Sequence, residues 1–335
     1  LFVSFFPQLV AGPIERSKNL LGQMYEPHSF DPDQARDGLL LMLWGMFEKI
    51  VIADRLAMLV DHVYANYPDL PGSAVVLATV FFAFQIYCDF GGYSHIAIGA
   101  AQVMGFRLME NFRQPYLSTS AAEFWRRWHI SLSTWFRDYL YIPLGGNRKG
   151  RVRKYINTMV TFLVSGLWHG ANWSFVVWGG LNGAYQVAGE LLSPLRDSVC
   201  RALRVNRERP LWTALRTVFT FCLVDFAWLF FRAPSFSAAR AMIAHTAANF
   251  QLSALPGRLF SLALDAPDFL AALFFLGVLL AADLLQKRYG PLRPYITRQA
   301  LPVRWALYLC AVLTVLIFGI YGPSYNARAF AYFQF

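Results

Sequence analysis

The sequence predicts an all-α polytopic membrane protein, and three observations carry that expectation. Of 335 residues, 56% are hydrophobic and only 15% are charged, against about 25% charged in soluble domains. Apolar runs recur along the whole chain, many of them close to the roughly 17–25 residues that a spanning helix needs. The basic residues collect between those runs, as the bias of Lys and Arg toward cytoplasmic loops requires. The net charge of +10 is thereby accounted for by topology, and a nucleic-acid partner is rejected. An aromatic share of 17% suits side chains anchored at bilayer interfaces.

The elements follow in order. Leu1 to Ala11 is too short to span and reads as the end of a span, stopped by Gly12-Pro13. The chain starts inside an apolar run without a signal-peptide layout, so further helices are expected upstream. Leu39 to Val60 has a helical pattern but carries Glu48, Lys49, Asp54 and Arg55, which must face protein, water or the interface. Ser73 to Phe90 is a span, broken by Gly91-Gly92, with a shorter partner from Tyr93 to Phe106. Thr119 to Leu144 interleaves Trp and Tyr with Arg126, Arg127, Arg137 and Asp138, the composition of an interfacial or re-entrant helix. Pro143 and Gly145-Gly146 end it. Further spans are expected at Ile156–Leu167, Trp173–Leu192, Leu211–Phe231, Phe269–Leu285 and Trp305–Tyr321. No internal repeat stands out, and one membrane domain covers residues 1–335. The four cysteines have no metal-ligand or redox spacing and read as free thiols.

Charge sets the orientation. Ten Lys/Arg against three acids lie between Arg107 and Lys154, and two more basic stretches follow Leu192 and Leu285. All three should be cytoplasmic, which works if Ile156–Leu192 is a hairpin with His169 near its turn.

Several residues can carry chemistry. His169, in Gly166-Leu167-Trp168-His169-Gly170-Ala171-Asn172-Trp173, is an ionisable residue at membrane depth, where a charge costs about 2.5–3.5 kcal/mol on insertion scales. A neutral imidazole avoids that cost and is also what a general base must be. The alternative is a structural histidine bonded to a carbonyl. Trp168 flanks it, Gly170 permits close approach, and Asn172 is placed to orient the ring or donate to an oxyanion. His129 follows Phe124-Trp125-Arg126-Arg127-Trp128; on one helix, Trp125, His129 and Ser133 would share a face. Either it lines a polar entrance or its helix is merely anchored at the interface. The run Arg148 to Lys154 either binds phosphates of a nucleotide-bearing donor or only sets topology. Asp89, beside the glycine pair and on a face with Gln85, either lines a substrate path or locks helices together. Asp225 reads as a paired structural acid. No nucleophile elbow, phosphate loop or His-Glu-x-x-His metal pair is present. On the residues alone, an enzyme and a transporter both stay open.

The residues also match a known pattern. Pro7-Gln8-Leu9-Val10-Ala11-Gly12-Pro13-Ile14, the long block from Phe124 to Gly146, Gly166-Leu167-Trp168-His169-Gly170 and the closing Tyr332-Phe333-Gln334-Phe335 resemble the membrane-bound O-acyltransferase family. Within it they are most similar to the bacterial alginate O-acetyltransferase type. The resemblance implies a ring of transmembrane helices around a central tunnel, with interfacial or re-entrant helices and additional N-terminal helices. It implies that the family's invariant histidine corresponds to His169 and its second histidine to His129. It also implies acetyl transfer from acetyl-CoA or another acyl thioester, used as co-substrate with no bound cofactor or metal. The expected setting is the bacterial inner membrane, with the lipid bilayer, the acyl donor, a polysaccharide acceptor and a periplasmic SGNH-hydrolase-like protein as partners. Arg126, Arg127 and the Arg148–Lys154 loop are expected to dock the donor. His95 stands where relatives are expected to carry an acid, adding a third histidine. Competing readings are a conduit with the chemistry in the partner and a scaffold for a secretion complex. The acceptor stays open among alginate, cellulose, peptidoglycan and teichoic acid.

Overall fold

The computed structural model describes residues 2–321; the closing motif Tyr332-Phe333-Gln334-Phe335 lies outside them. Along the chain run α1 (Ser17–Tyr25), α2 (Pro32–Met46), a π-helical turn (Phe47–Ala53), α3 (Asp54–Asn66), α4 (Gly72–Val103), α5 (Ala121–Arg127), α6 (Ile130–Phe136), a second π-helical turn (Arg137–Tyr141), α7 (Gly150–His169) and α8 (Trp173–Leu191). Then follow α9 (Ser193–Ala202), α10 (Pro210–Arg232), α11 (Phe236–Ala248), α12 (Ala266–Tyr289), α13 (Arg293–Thr297) and α14 (Leu301–Phe318). No strand occurs among the described residues, and the fold is that of an all-α polytopic membrane protein. The helices α4, α10, α12 and α14 are long and apolar enough to cross a membrane. The helices α7 and α8 fall outside that set, because α7 opens on a basic run and α8 is diluted by glycine, Asn182 and Gln186.

The described residues form two compact units. The first joins residues 2–111 to 249–321. Its seam is the antiparallel contact of α2 with α4, made by two glycine pairs. A Cβ on Gly92 would lie 2.6 Å from the Gly45 carbonyl oxygen, and one on Gly99 would lie 2.4 Å from that of Gly38. The backbones therefore touch directly, as small residues allow between membrane helices. This corrects the expected break at Gly91-Gly92: α4 is one continuous helix of 32 residues, because α2 fills the groove that the missing side chain leaves. The chain start is also corrected, since residues 2–11 hold one 3₁₀ turn, Phe6–Gln8, and not the end of a helical span.

The first π-helical turn sits where the charges of the Leu39–Val60 stretch fall. Lys49 Nζ bridges Asp54 at 2.8 Å and Asp89 at 2.6 Å. Glu48 accepts from Trp44 Nε1 at 2.9 Å and pairs with His95 Nδ1 at 2.6 Å. The Ile50 carbonyl accepts from Ile320 N–H at 2.9 Å. One turn on, Arg55 donates to the Val51 and Phe318 carbonyls and pairs with Asp268 at 3.2 Å, so α14 ends against a guanidinium.

The second unit is Phe112–Ala248. Its centre is the hairpin of α7 and α8, another seam of glycines: a Cβ on Gly166 would meet the Phe175 carbonyl oxygen at 2.2 Å, and one on Gly179 that of Phe162 at 2.2 Å. The two helices form the hairpin expected over Ile156–Leu192, with His169 near its turn. Its open end is tied by Lys154 to Glu190, and its turn carries His169, Gly170 and Asn172. Cys88 and Cys200 are buried free thiols, and Cys222 and Cys310 are exposed ones.

Candidate active site

Two histidines of the second unit are brought into one aromatic assembly. His169 is the last residue of α7 and is partly exposed. Trp178 from α8 stands edge-on to its ring at 5.2 Å and 90°, and Phe231 from α10 at 5.2 Å and 78°. Trp168 lies at 5.1 Å on the chain-neighbour side, half exposed. Trp178 stacks on Trp228 (5.8 Å, 24°), and Trp228 leans on Trp128 (5.0 Å). Trp128 precedes His129 in the chain. The assembly is held by hydrogen bonds as well as by packing. Trp228 Nε1 donates to the Tyr116 hydroxyl at 3.1 Å. Trp125 Nε1 donates to Asn182 Oδ1 at 3.1 Å, and Asn182 Nδ2 donates to the Trp178 carbonyl at 2.9 Å. Ring edges and faces at these separations attract through their quadrupoles.

His129 is not inside a helix. Its φ of 43° and ψ of 55° put it in the left-handed region between α5 and α6, a conformation that costs a side-chain-bearing residue on the order of 1–3 kcal/mol. The expected shared helical face of Trp125, His129 and Ser133 is thereby corrected: the helix is split at the histidine. The split is local and fully bonded. Ser120 caps α5 by accepting from Glu123 N–H at 3.1 Å, and the Glu123 carboxylate accepts from both the N–H and the hydroxyl of Thr119 at 2.8 Å, a variant of the capping box. The Trp128 N–H closes α5 on the Phe124 carbonyl, and Ser133 N–H opens α6 on the His129 carbonyl at 2.9 Å. The His129 ring is 4% exposed with the Ser131 hydroxyl 3.5 Å from Nδ1. Burial first, and the nearby His169 second, push its pKa well below the ordinary histidine range. His129 is therefore held neutral at physiological pH.

The other residues named from the sequence divide. Asn172 caps α8, accepting from Ser174 N–H at 3.0 Å and donating to the Pro234 carbonyl at 2.9 Å, so its amide fixes the hairpin turn. Gly170 is extended, and the space that a Cβ would take is filled by the Phe175 ring at 2.7 Å. Arg127 pairs with Glu123 at 2.9 Å and donates to the Arg113 carbonyl, whereas Arg126 is exposed. Asp89 belongs to the first unit, on Lys49, and His95 to the same unit, on Glu48. Asp225 departs from its expected pairing, since its buried Oδ1 has no hydrogen-bond partner among the described residues. Trp178, Trp228, Phe231 and Asn182 were not singled out from the sequence. The available signal was the i, i+3 and i+4 recurrence of Trp and Phe along α8 and α10, which is indistinguishable there from ordinary lipid-facing apolar character.

The model of the MBOAT, membrane-bound O-acyltransferase family, matches residues 1–242. A protein of Pseudomonas putida named "Probable alginate O-acetylase AlgI" is 44% identical over 241 residues, covering 72% of this chain and 47% of its own length. A "Peptidoglycan O-acetyltransferase" of Helicobacter pylori is 37% identical, covering 71% of this chain and 44% of its own. A "Teichoic acid D-alanyltransferase" of Streptococcus thermophilus is 28% identical, covering 69% and 60%. The chain spans about half the length of the first two relatives.

Proposed function

The chain belongs to the membrane-bound O-acyltransferase family, and from that premise we propose that it serves O-acetylation of an exported polysaccharide such as alginate, with residues 112–248 carrying the chemistry. The observation that carries this reading is the partly exposed His169 backed by Trp178 and Phe231, on one aromatic assembly with the buried, neutral His129. The names of the two most similar relatives quoted above, both O-acetylating proteins, support acetyl as the acyl group.

In this mechanism a hydroxyl of the acceptor approaches the exposed side of His169. The imidazole takes the hydroxyl proton as the oxygen bonds to the thioester carbonyl carbon. The tetrahedral adduct collapses, the carbon–sulfur bond breaks, and the imidazolium returns its proton to the leaving thiolate. A positioned base of this kind contributes about 10²–10⁴-fold, and alignment of the two substrates supplies much of the rest. The surrounding rings exclude water that would otherwise hydrolyse the donor. His129 is the second neutral imidazole of the site. The donor is acetyl-CoA or another acyl thioester from the cytoplasm, and the exposed Arg126 is a docking group for its phosphates. The protein resides in the bacterial inner membrane, and a periplasmic SGNH-hydrolase-like partner receives the acetyl group or passes it to the polymer.

The test is transfer from labelled acetyl-CoA in membranes holding the protein, its candidate periplasmic partner and acceptor polymer. Wild type is compared with His169→Ala at equal insertion. Loss of transfer in the variant, with wild type active, supports the reading. Equal transfer in both removes His169 from the chemistry and leaves a conduit with the reaction in the partner.

A further inference from the structure

The helix α9 and the chain around it have no part in the chemistry proposed above, yet they present an unusual surface. Leu192, Leu195, Val199 and Leu203 recur at i, i+3, i+7 and i+11. On a helix those positions lie within one narrow stripe, and all four are exposed, Leu195 at 62% and Leu203 at 70%. Cys200, about 100° round the helix from Val199, is the buried side of α9, and its carbonyl accepts from Val205 N–H at 2.9 Å. Arg196 flanks the stripe, and Arg201, Arg204, Arg207 and Arg209 follow. Arg207 folds back onto α9 and pairs with Asp197 at 2.9 Å.

A second basic segment reaches the same place. Lys154 pairs with Glu190, which sets the start of α7 beside the end of α8, two residues before α9 begins. The run Arg148, Lys149, Arg151 and Arg153 therefore belongs to the same end of the hairpin as the arginines of α9. Only the fold joins these two stretches, which are about forty residues apart in the chain. The acids within them, Glu190, Asp197 and Glu208, leave a strong excess of positive charge.

We propose that this end of the hairpin docks on an anionic bilayer surface, with α9 lying in the interfacial plane. A soluble phosphate-bearing ligand would account for the arginines alone. It gives no reason for an exposed leucine stripe on the same helix, whereas an apolar face with flanking cations is the pattern of a helix seated between headgroups and acyl chains. The arginines meet phosphates of the leaflet, and the leucines enter its outer hydrocarbon. The surface fits phosphatidylglycerol-like lipids better than neutral ones. It is independent of whether His169 is a base.

The test is hydrogen–deuterium exchange of peptides covering residues 191–205 in the full chain. The chain is held in nanodiscs of phosphatidylcholine alone or mixed with phosphatidylglycerol. Exchange of α9 amides should slow by about tenfold in the anionic discs. The gain should be lost in Arg196→Gln/Arg201→Gln/Arg204→Gln and reduced at high salt. Peptides from α7 and α8 report whether the variant is folded, and Leu195→Ser provides a second, uncharged disruption of the same docking. Equal exchange of wild type in both discs overturns the proposal. So does protection brought by pyrophosphate alone in neutral discs, which would make the surface a soluble-anion site.

Discussion

His169 and Trp178 meet edge to face, ring centroids 5.2 Å apart and planes perpendicular. One comes from the end of α7 and the other from α8, so the geometry of the histidine depends on the seam between the two helices. That dependence can be tested without touching either residue. In Gly166→Ala the new methyl would lie 2.2 Å from a backbone oxygen of Phe175, which cannot rotate away. The hairpin must open, at about 1–3 kcal/mol of overpacking, and acyl transfer should fall with it. In Gly180→Ala the nearest atom is the flexible Leu163 Cδ2 at 3.5 Å, and both thermal midpoint and transfer should be unchanged. Equal behaviour of the two variants would dissociate the seam from the site.

The Trp125–Asn182 bond is buried on the Asn side. Asn182→Leu leaves the indole N–H and nothing to receive it, a loss of about 1–3 kcal/mol. Trp125→Phe in the same background should recover part of that loss, because it removes the orphaned donor. Denaturation midpoints of the single and double variants in detergent measure the coupling.

In the first unit, Lys49→Met strands Asp54 and Asp89. Removing one member of a buried ionic group typically costs about 3–5 kcal/mol, so poor insertion or a sharply lower midpoint is expected. Adding Asp54→Asn and Asp89→Asn should restore much of the stability. Failure of that rescue would mean that Lys49 does more than neutralise the two carboxylates.

His129 gives stability a pH dependence of definite sign. Its folded-state pKa lies below the unfolded value because of burial and then His169. The unfolded chain therefore binds more protons as pH falls. The contribution is fully present above about pH 6.5, the free-histidine value, and is lost progressively as pH drops from there toward the folded pKa. Midpoints measured between neutral and mildly acidic pH should fall more steeply for wild type than for His129→Gln. Identical slopes would remove the histidine from the acid response.

Much of the helical framework was legible in the sequence, because apolar run length and the placement of Lys and Arg are strong local signals. The hairpin with His169 near its turn followed from two apolar runs together with the placement of charge, and α7 and α8 form it. Local signals misled where tertiary contact overrode them. Gly91-Gly92 reads as a break in isolation, but against α2 it is a contact surface, with Gly45 fitted to it. The aromatic spacing around His129 reads as one helix, but the chain turns left-handed at that residue. Trp178, Trp228 and Phe231 come from two helices and converge only on folding, so no window of sequence could group them. Asp89 shows the same limit in reverse, since its partner Lys49 lies forty residues earlier.

The π-helical turn at Phe47–Ala53 gives this stretch one residue of slack in its chain length. A π turn accommodates one residue more than the α-helix it interrupts. Deleting a single residue there would let an unbroken α-helix form with the register of everything beyond it kept, whereas the same deletion within α2 or α3 would rotate everything beyond it by about 100°. Arg55 would stay aimed at Asp268 and the end of α14, and Lys49 and Asp54, five residues apart across the π turn, would become four apart and still share a face. A one-codon deletion is therefore absorbed inside this turn and disruptive in the helices on either side of it.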